Sequence, residues 1–290
     1  SEPAYWQMGL FADDWSAHWI GSAEMESQSV GGRPVDNKMF DPWFRKTFTL
    51  TESLKEALIY VASIGYHELY VNGCKIGNAV LAPSVTDHKS RARYVTYDIS
   101  HYLKKGENVI ALWLGTSWAV FPAYQRNDKP AIPMALAQAE ITLTSGSKVR
   151  VITDGSWKTH ASPNVLMGYW DAHHFAGEFY DASLEINGWN EAGFDDSEWA
   201  EAKVYQPQIM VSADKAESNL LMYEIKPVAV EEVSPGVYRV DMGINYAGWF
   251  EMPLVGQPGD SVVFRFSERE KDACSYGIHS IYKIGPDGKG

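Results

Sequence analysis

The chain has 290 residues, a formal net charge of −12 at pH 7 and two cysteines, Cys74 and Cys274. An acidic chain with no basic patch argues against nucleic acid as a partner. Two thiols far apart in sequence make neither a metal pattern nor a disulfide framework, and no run reaches the ~18 apolar residues of a membrane helix. A hydrophobic share of 45% is enough to bury a sizeable core, and domains of ~100–200 residues make two units the natural expectation. The 11 Trp and 16 Tyr suit two uses, filling β-sandwich cores and offering flat platforms to sugars, and core filling accounts for most of them.

Residues 1–20 read as an entry segment, with one helical turn starting at Asp13-Asp14-Trp15. A polar, Gly-rich loop spans 22–38, and strands then follow at 43–50, 56–64, 67–72, 95–98, 109–114, 135–144 and 148–153. In the first of these, Phe44, Lys46 and Phe48 alternate with Arg45 and Thr47. In the third, Leu69 and Val71 face one way and Glu68, Tyr70 and Asn72 the other. Asn72-Gly73 supplies the positive φ of a tight hairpin, and Lys105-Gly106-Glu107-Asn108 is a second polar turn. Turn signals recur about every 8–12 residues, the rhythm of an all-β sandwich. Residues 53–57 and 195–199 are at most single helical turns.

A long irregular stretch covers 162–195 and carries Trp170-Asp171, His173-His174, Gly177-Glu178 and Tyr180-Asp181. Ordered loops of this length are usually functional or pack on another domain. A connector at 207–218 leads to a second β set at 225–233, 237–242, 248–255 and 261–267. Residues 281–284 are strand-like, and the turn sequence Gly285-Pro286-Asp287-Gly288-Lys289-Gly290 ends the chain. These abrupt ends predict a piece of a longer protein. The expected organisation is an entry segment at 1–20, a β-sandwich at 21–205 and a second, truncated β-sandwich at 206–290.

Several motifs in order carry a resemblance. They are Trp15-Ser16-Ala17-His18-Trp19-Ile20-Gly21, Phe44-Arg45-Lys46-Thr47-Phe48, and Gly65-Tyr66-His67-Glu68-Leu69-Tyr70-Val71-Asn72-Gly73 with Leu81-Ala82-Pro83. Gly177-Glu178-Phe179-Tyr180-Asp181, Gly188-Trp189-Asn190 and Asp241-Met242-Gly243-Ile244-Asn245-Tyr246-Ala247-Gly248-Trp249 continue it. Together they resemble the N-terminal, non-catalytic β-domains of bacterial α-L-rhamnosidases. Ile244 stands where that family usually has Gln, and Ala176 where Asp is common. The resemblance implies that residues 21–205 form a jelly-roll, galactose-binding-like sandwich. It also implies a parent glycoside hydrolase of inverting mechanism acting on rhamnose-containing glycans. The catalytic helical barrel of that family has no counterpart in this sequence, so the chain alone is expected to be inactive, with no catalytic residue. The implied partners are a carbohydrate and a catalytic domain of the same polypeptide, and the implied location is secreted or periplasmic. The alternatives are a freestanding carbohydrate-binding module and a purely structural or adhesion protein.

Two regions are candidate sugar sites. In the long loop, Asp171, Glu178 and Asp181 place carboxylates near Trp170 and Tyr180, a pairing that can grip vicinal hydroxyls while stacking on a sugar face. The same carboxylates can instead hold loop backbone as Asx-type turns do. The second region is Asp87 with Trp118, Asn127 and Asp128. Some modules of rhamnosidases bind L-rhamnose through calcium held by an Asp-Asn pair and a loop Asn. Asp87-His88 is the nearest equivalent of the pair, which makes Asp87 and Asn127 the candidate calcium ligands, although imidazole does not suit calcium. No cofactor is otherwise required. Adjacent His173 and His174 point to opposite sides of an extended chain, and Asp195-Asp196 reads as a cap with Phe194 and Trp199 packed inward. Glu268 and Glu270 share one strand face, solvated or turned to a neighbouring domain.

Overall fold

The computed structural model describes residues 8–30, 33–34, 39–168, 177–269 and 274–290. The chain is all-β. Its main strands are β1 (Trp19–Gly21), β2 (Met39–Leu50), β3 (Leu54–Ile64), β4 (Tyr66–Val71), β5 (Cys74–Lys75), β6 (Arg91–Asp98), β7 (Gly106–Gly115), β8 (Met134–Leu143) and β9 (Lys148–Ile152). They continue with β10 (Lys158–Met167), β11 (Gly177–Asp181), β12 (Lys203–Tyr205), β13 (Met210–Ala213), β14 (Ala229–Ser234), β15 (Val237–Asp241), β16 (Ser261–Arg265) and β17 (His279–Lys283). One sheet runs β12-β1-β8-β3-β6-β13 with β9 paired to β8. The facing sheet runs β16-β17-β11-β10-β2-β7-β4-β5. Among the described residues no helix exceeds the six residues of Ala23–Gln28, and none is long and apolar enough to cross a membrane.

Apolar side chains occupy three layers. Phe44, Ile59, Val61, Leu69, Ile110, Leu112, Ala137 and Trp157 fill the space between the sheets. On the outer face of the first sheet, Leu58, Tyr60, Ala62 and Leu136 are covered by Leu10, Trp15, Ile209 and Val211. Residues 57–64 of β3 are therefore buried on both faces, which is why they read as one apolar run rather than an alternation. On the outer face of the second sheet, Trp43 stacks on Trp189 at 4.6 Å and on Trp199 at 6.3 Å. Arg45 beside them is fully buried. It donates to the carbonyls of Glu191 (2.9 Å) and Phe194 (3.3 Å) and pairs with Asp196. That guanidinium binds the Trp189–Trp199 segment to the sheet.

The Asn72-Gly73 hairpin is architectural. Both residues have positive φ, 49° and 83°, and Val71 pairs with Cys74 across the turn. The Asn72 amide donates to the Tyr102 carbonyl and to Asn108 Oδ1, and its oxygen accepts the Val109 N–H at 2.9 Å. Asn108 is itself buried and closes the Lys104–Gly106 turn.

Three strands beyond residue 205 join the main sheets: β13 runs parallel to β6, β17 runs parallel to β11, and β16 pairs antiparallel with β17. The β14–β15 hairpin stands outside them, with Val230 62% and Tyr238 61% exposed. Strand β10 lies largely in the segment that reads as irregular in sequence. Its Ser162-Pro163-Asn164 interrupts the ladder to β2 with a register shift between Ala161 and Val165, because proline has no N–H to give. The strand expected at 248–255 is not formed. Only Val255 bridges, to Lys289, and Pro253 breaks the run. Both cysteines are unpaired.

Candidate functional site

Two loops meet at one corner of the sandwich, one at 81–90 and the other at 116–133. Arg126 ties them by donating to the Lys89 carbonyl. The same guanidinium forks onto Asp128 at 2.7 and 2.8 Å, and Asp128 also accepts the Gln208 N–H at 3.1 Å. Arg126 holds the Asp128 carboxyl well below the usual carboxylate range. The Gln125 amide nitrogen donates to the carbonyls of Ala119 and Phe121 at 2.9 and 2.8 Å. Trp118 donates its indole N–H to the Tyr66 hydroxyl at 3.1 Å and packs edge-on against Phe121. Lys89, Gln125, Arg126, Asn127 and Asp128 line an open cleft of ≈ 390 Å³. A narrow crevice between Tyr66, Ser84, His88, Arg93 and Trp118 lies on the same corner and is filled by its own side chains.

Asp87, Trp118 and Asn127 are thus brought to one corner. Asp87 is exposed; its carboxylate accepts the Lys89 N–H at 2.9 Å, and its carbonyl accepts from Ser90 and Arg91. Glu178 and Asp181 lie instead on β11. Asp181 accepts from Ser183 N–H (3.0 Å) and hydroxyl (2.5 Å) and pairs with Lys283 of β17 at 2.8 Å. Glu178 is exposed, and its charge acts on buried Asp41 of β2, whose carboxyl is pushed up to about 6, chiefly by burial. Trp170, Asp171, His173, His174 and Glu270 lie outside the described residues. Asp195 accepts the Ser197 N–H at 3.0 Å and Trp199 is buried, so this segment is a turn with an inward-packed aromatic.

The same loops carry Lys129 and Gln125, which sequence reading did not single out, and His88, which entered it only as the neighbour of Asp87. Lys129 is 7% exposed and His88 4%. Lys129 Nζ, His88 Nδ1 and Gln125 Oε1 are buried without a hydrogen-bond partner. Burial pulls Lys129 down to about 8, and burial with the Lys129 charge pulls His88 down to about 4. The Trp118 backbone opposes the shift at His88. Calcium needs six to eight oxygen ligands. Here Asp87 is engaged by backbone, its neighbour is an imidazole, and a buried ammonium lies beside that imidazole. Among the described residues no group of three or more His, Cys, Asp and Glu could hold a metal. The residues present do not fit calcium. A lysine in a loop carries no sequence signal that it is buried, whereas Trp118 and Asp87 are legible as residue types that serve sugar sites.

Residues 52–232, more than half of the chain, match the family model described as the alpha-L-rhamnosidase N-terminal domain. An alpha-L-rhamnosidase of Formosa agariphila is 29% identical over 283 residues, which is 90% of this chain and 29% of that protein. The structure of alpha-L-rhamnosidase from Dictyoglumus thermophilum is similar with a TM-score of 0.81 at 28% identity, covering 96% of this chain and 32% of that one. The Streptomyces avermitilis alpha-L-rhamnosidase, solved as a complex with L-rhamnose, is similar with a TM-score of 0.75 at 25% identity, over 89% of this chain and 26% of that one. The chain spans less than a third of the length of these relatives. It belongs to the alpha-L-rhamnosidase N-terminal domain family.

Proposed function

We propose that the chain is the accessory β-region of a glycoside hydrolase acting on rhamnose-containing glycans. In this reading it supports a catalytic domain of the same polypeptide and binds sugar at the Lys89–Asp128 corner. The family match over 52–232 carries the reading. The apolar surface left open on β14 and β15 supports it, because Val230, Tyr238 and Val240 are each more than half exposed and a hairpin of two strands needs a packing surface. Inverting hydrolysis needs an acid and a base flanking the bond, and that pair belongs to the proposed catalytic domain. A glycan substrate also favours a secreted or periplasmic location, which fractionation of the source cells would test.

The experiment is an assay of the 290-residue chain on an aryl α-L-rhamnoside. No turnover is expected, and measurable turnover would overturn the accessory reading. The open cleft favours a second reading, a freestanding carbohydrate-binding module. Saturable L-rhamnose binding by a chain whose natural reading frame encodes nothing further would decide for it. A purely structural or adhesion role would show neither binding nor a catalytic continuation.

A further inference from the structure

The open cleft at the loop corner is lined by Lys89, Gln125, Arg126, Asn127 and Asp128, and its ≈ 390 Å³ falls within the ~300–1,000 Å³ usual for ligand pockets. The hydrogen bonds its walls already make define what they still offer. Asp128, the one carboxylate on the wall, accepts from Arg126 Nε and Nη2 at 2.7 and 2.8 Å and from the Gln208 N–H at 3.1 Å, so both its oxygens are engaged. Arg126 gives Nη1 to the Lys89 carbonyl. A guanidinium has five N–H groups, and these contacts use three of them. Gln125 gives its amide nitrogen to the Ala119 and Phe121 carbonyls. What remains for a ligand is the other two N–H groups of Arg126, the exposed Asn127 amide and the Lys89 ammonium, which is exposed and carries no ion pair among the described residues. The unused groups are mostly donors.

Charge points the same way. Arg126 and Asp128 neutralise each other across their fork, which leaves Lys89 as one unbalanced positive charge on the cleft wall, in a chain whose net charge is −12. The other two charges on these loops, Asp87 and Lys129, have opposite signs, and neither lines the cleft. A ligand that fits must therefore bring acceptor oxygens and one negative charge. A divalent cation would face the ammonium. A phosphate monoester carries close to two negative charges against one positive. A carboxylate or a sulfate ester carries one.

We propose that this cleft binds a singly charged acidic sugar residue, a uronate or a sulfate ester, with the Lys89 ammonium as its counter-charge and Arg126 and Asn127 donating to its oxygens. This deepens, and rests on, the sugar-binding reading of the same corner: the glycan held there carries acidic residues beside rhamnose. The fork onto Asp128 and the Asp128–Gln208 hydrogen bond fix the guanidinium before a ligand arrives, so less ordering is left for binding to oppose.

The test is calorimetric titration of the full 290-residue chain with four probes: L-rhamnose, a sulfate ester of L-rhamnose, a disaccharide of L-rhamnose and D-glucuronate, and the methyl ester of that disaccharide, which removes only its charge. At least one acidic probe is expected to bind about fivefold tighter than its neutral counterpart, the scale of one exposed ion pair, and the one that does so identifies the acid as uronate or sulfate. The advantage should shrink in ~0.5 M sodium chloride, where exposed charges are screened. Lys89→Met is expected to abolish it and Lys89→Arg to keep it; Lys89 is exposed, so both variants should melt as the unaltered chain does. Neutral probes that bind as tightly as both acidic ones, or an advantage that Lys89→Met retains, would overturn this assignment while leaving sugar binding intact. No binding of any of the four would remove the sugar-binding reading itself, and with it this site, without touching the family assignment.

Discussion

Asp41 allows a quantitative test of how this fold tolerates buried charge. The side chain is buried at the start of β2, and its oxygens accept the Thr116 N–H at 2.7 Å and the Asn164 amide at 2.8 Å. Burial raises its pKa, the Glu178 charge raises it further, and those hydrogen bonds oppose both, leaving it at about 6 against an ordinary 3.8. As pH rises, the unfolded chain releases this proton first. Between the two values the folded protein holds a proton that the unfolded chain has lost, so stability falls across that window. At about 1.36 kcal/mol per pH unit the loss totals about 3 kcal/mol. It is complete above pH ~6 and absent below pH ~3.8. The perturbation is Asp41→Asn, which cannot titrate. Urea unfolding of both proteins from pH ~3.5 to ~7 gives a stability difference in which the other carboxylates cancel. The wild type is expected to lose about 3 kcal/mol relative to the variant across that range. A difference constant within about 1 kcal/mol would refute the reasoning, and a relative gain for the wild type would mean that the hydrogen bonds outweigh burial.

Replacing Arg45 with Ala leaves the Asp196 carboxylate and the Glu191 and Phe194 carbonyls facing an empty site. Breaking a buried pair costs about 3–5 kcal/mol, and the partial exposure of Asp196 puts the expectation at the lower end, read by urea unfolding together with loss of the near-ultraviolet signal of the Trp43, Trp189 and Trp199 stack. Gly177→Ala places a Cβ 1.8 Å from the His279 carbonyl oxygen. Strand β17 should part from β11, with faster hydrogen exchange at 279–283 and unchanged protection in β2 and β7; equal exchange in both proteins would show that the backbone yields instead. Glu178→Gln removes the second cause of the Asp41 shift, so the Asp41 carboxyl carbon should titrate at lower pH by NMR than in the wild type.

What could be read from sequence was what short-range chemistry decides. Asn72-Gly73 demands positive φ at two successive residues, and the alternation of Leu69 and Val71 with Glu68 and Tyr70 fixes which face is inside, so hairpin and strand were both legible. Strand β10 was not, because Pro163 and its polar neighbours read as a loop until the partner strand β2 is present to absorb the irregularity. The outer apolar layers were hidden for a related reason. Trp43 and Arg45 look like the solvent side of β2, and only the distant Trp189–Trp199 segment turns that side into a core. At the candidate site, Asp87, Trp118 and Asn127 were legible as residue types and do share a corner. Lys129 was not, since a lysine in a polar loop reads as solvated and its burial depends on how the two loops pack.

The sandwich and the segment after it differ in how far each supports itself. Residues 39–167 are packed on both faces of both sheets, with three apolar layers to offset chain entropy. The β14–β15 hairpin has its own ladder, from Ala229 paired with Asp241 to Ser234 paired with Val237, but its apolar side chains meet water. Val230 is 62%, Tyr238 61% and Val240 51% exposed, and Met222 and Tyr223 just before it are more so. Isolated two-stranded hairpins are marginal in water. Local opening free energy should therefore fall steeply along the chain. In the 290-residue chain, amides of 229–241 are expected to exchange within seconds to minutes while those of β2, β3 and β7 approach the global limit. In the longer polypeptide proposed above, the same hairpin should gain protection comparable to β7, because a further domain would cover Val230 and Val240. If the hairpin is already protected in the 290-residue chain, its apolar face needs no cover and the accessory reading loses its structural support. If it gains nothing in the longer protein, the surface that the catalytic domain packs against lies elsewhere on the sandwich.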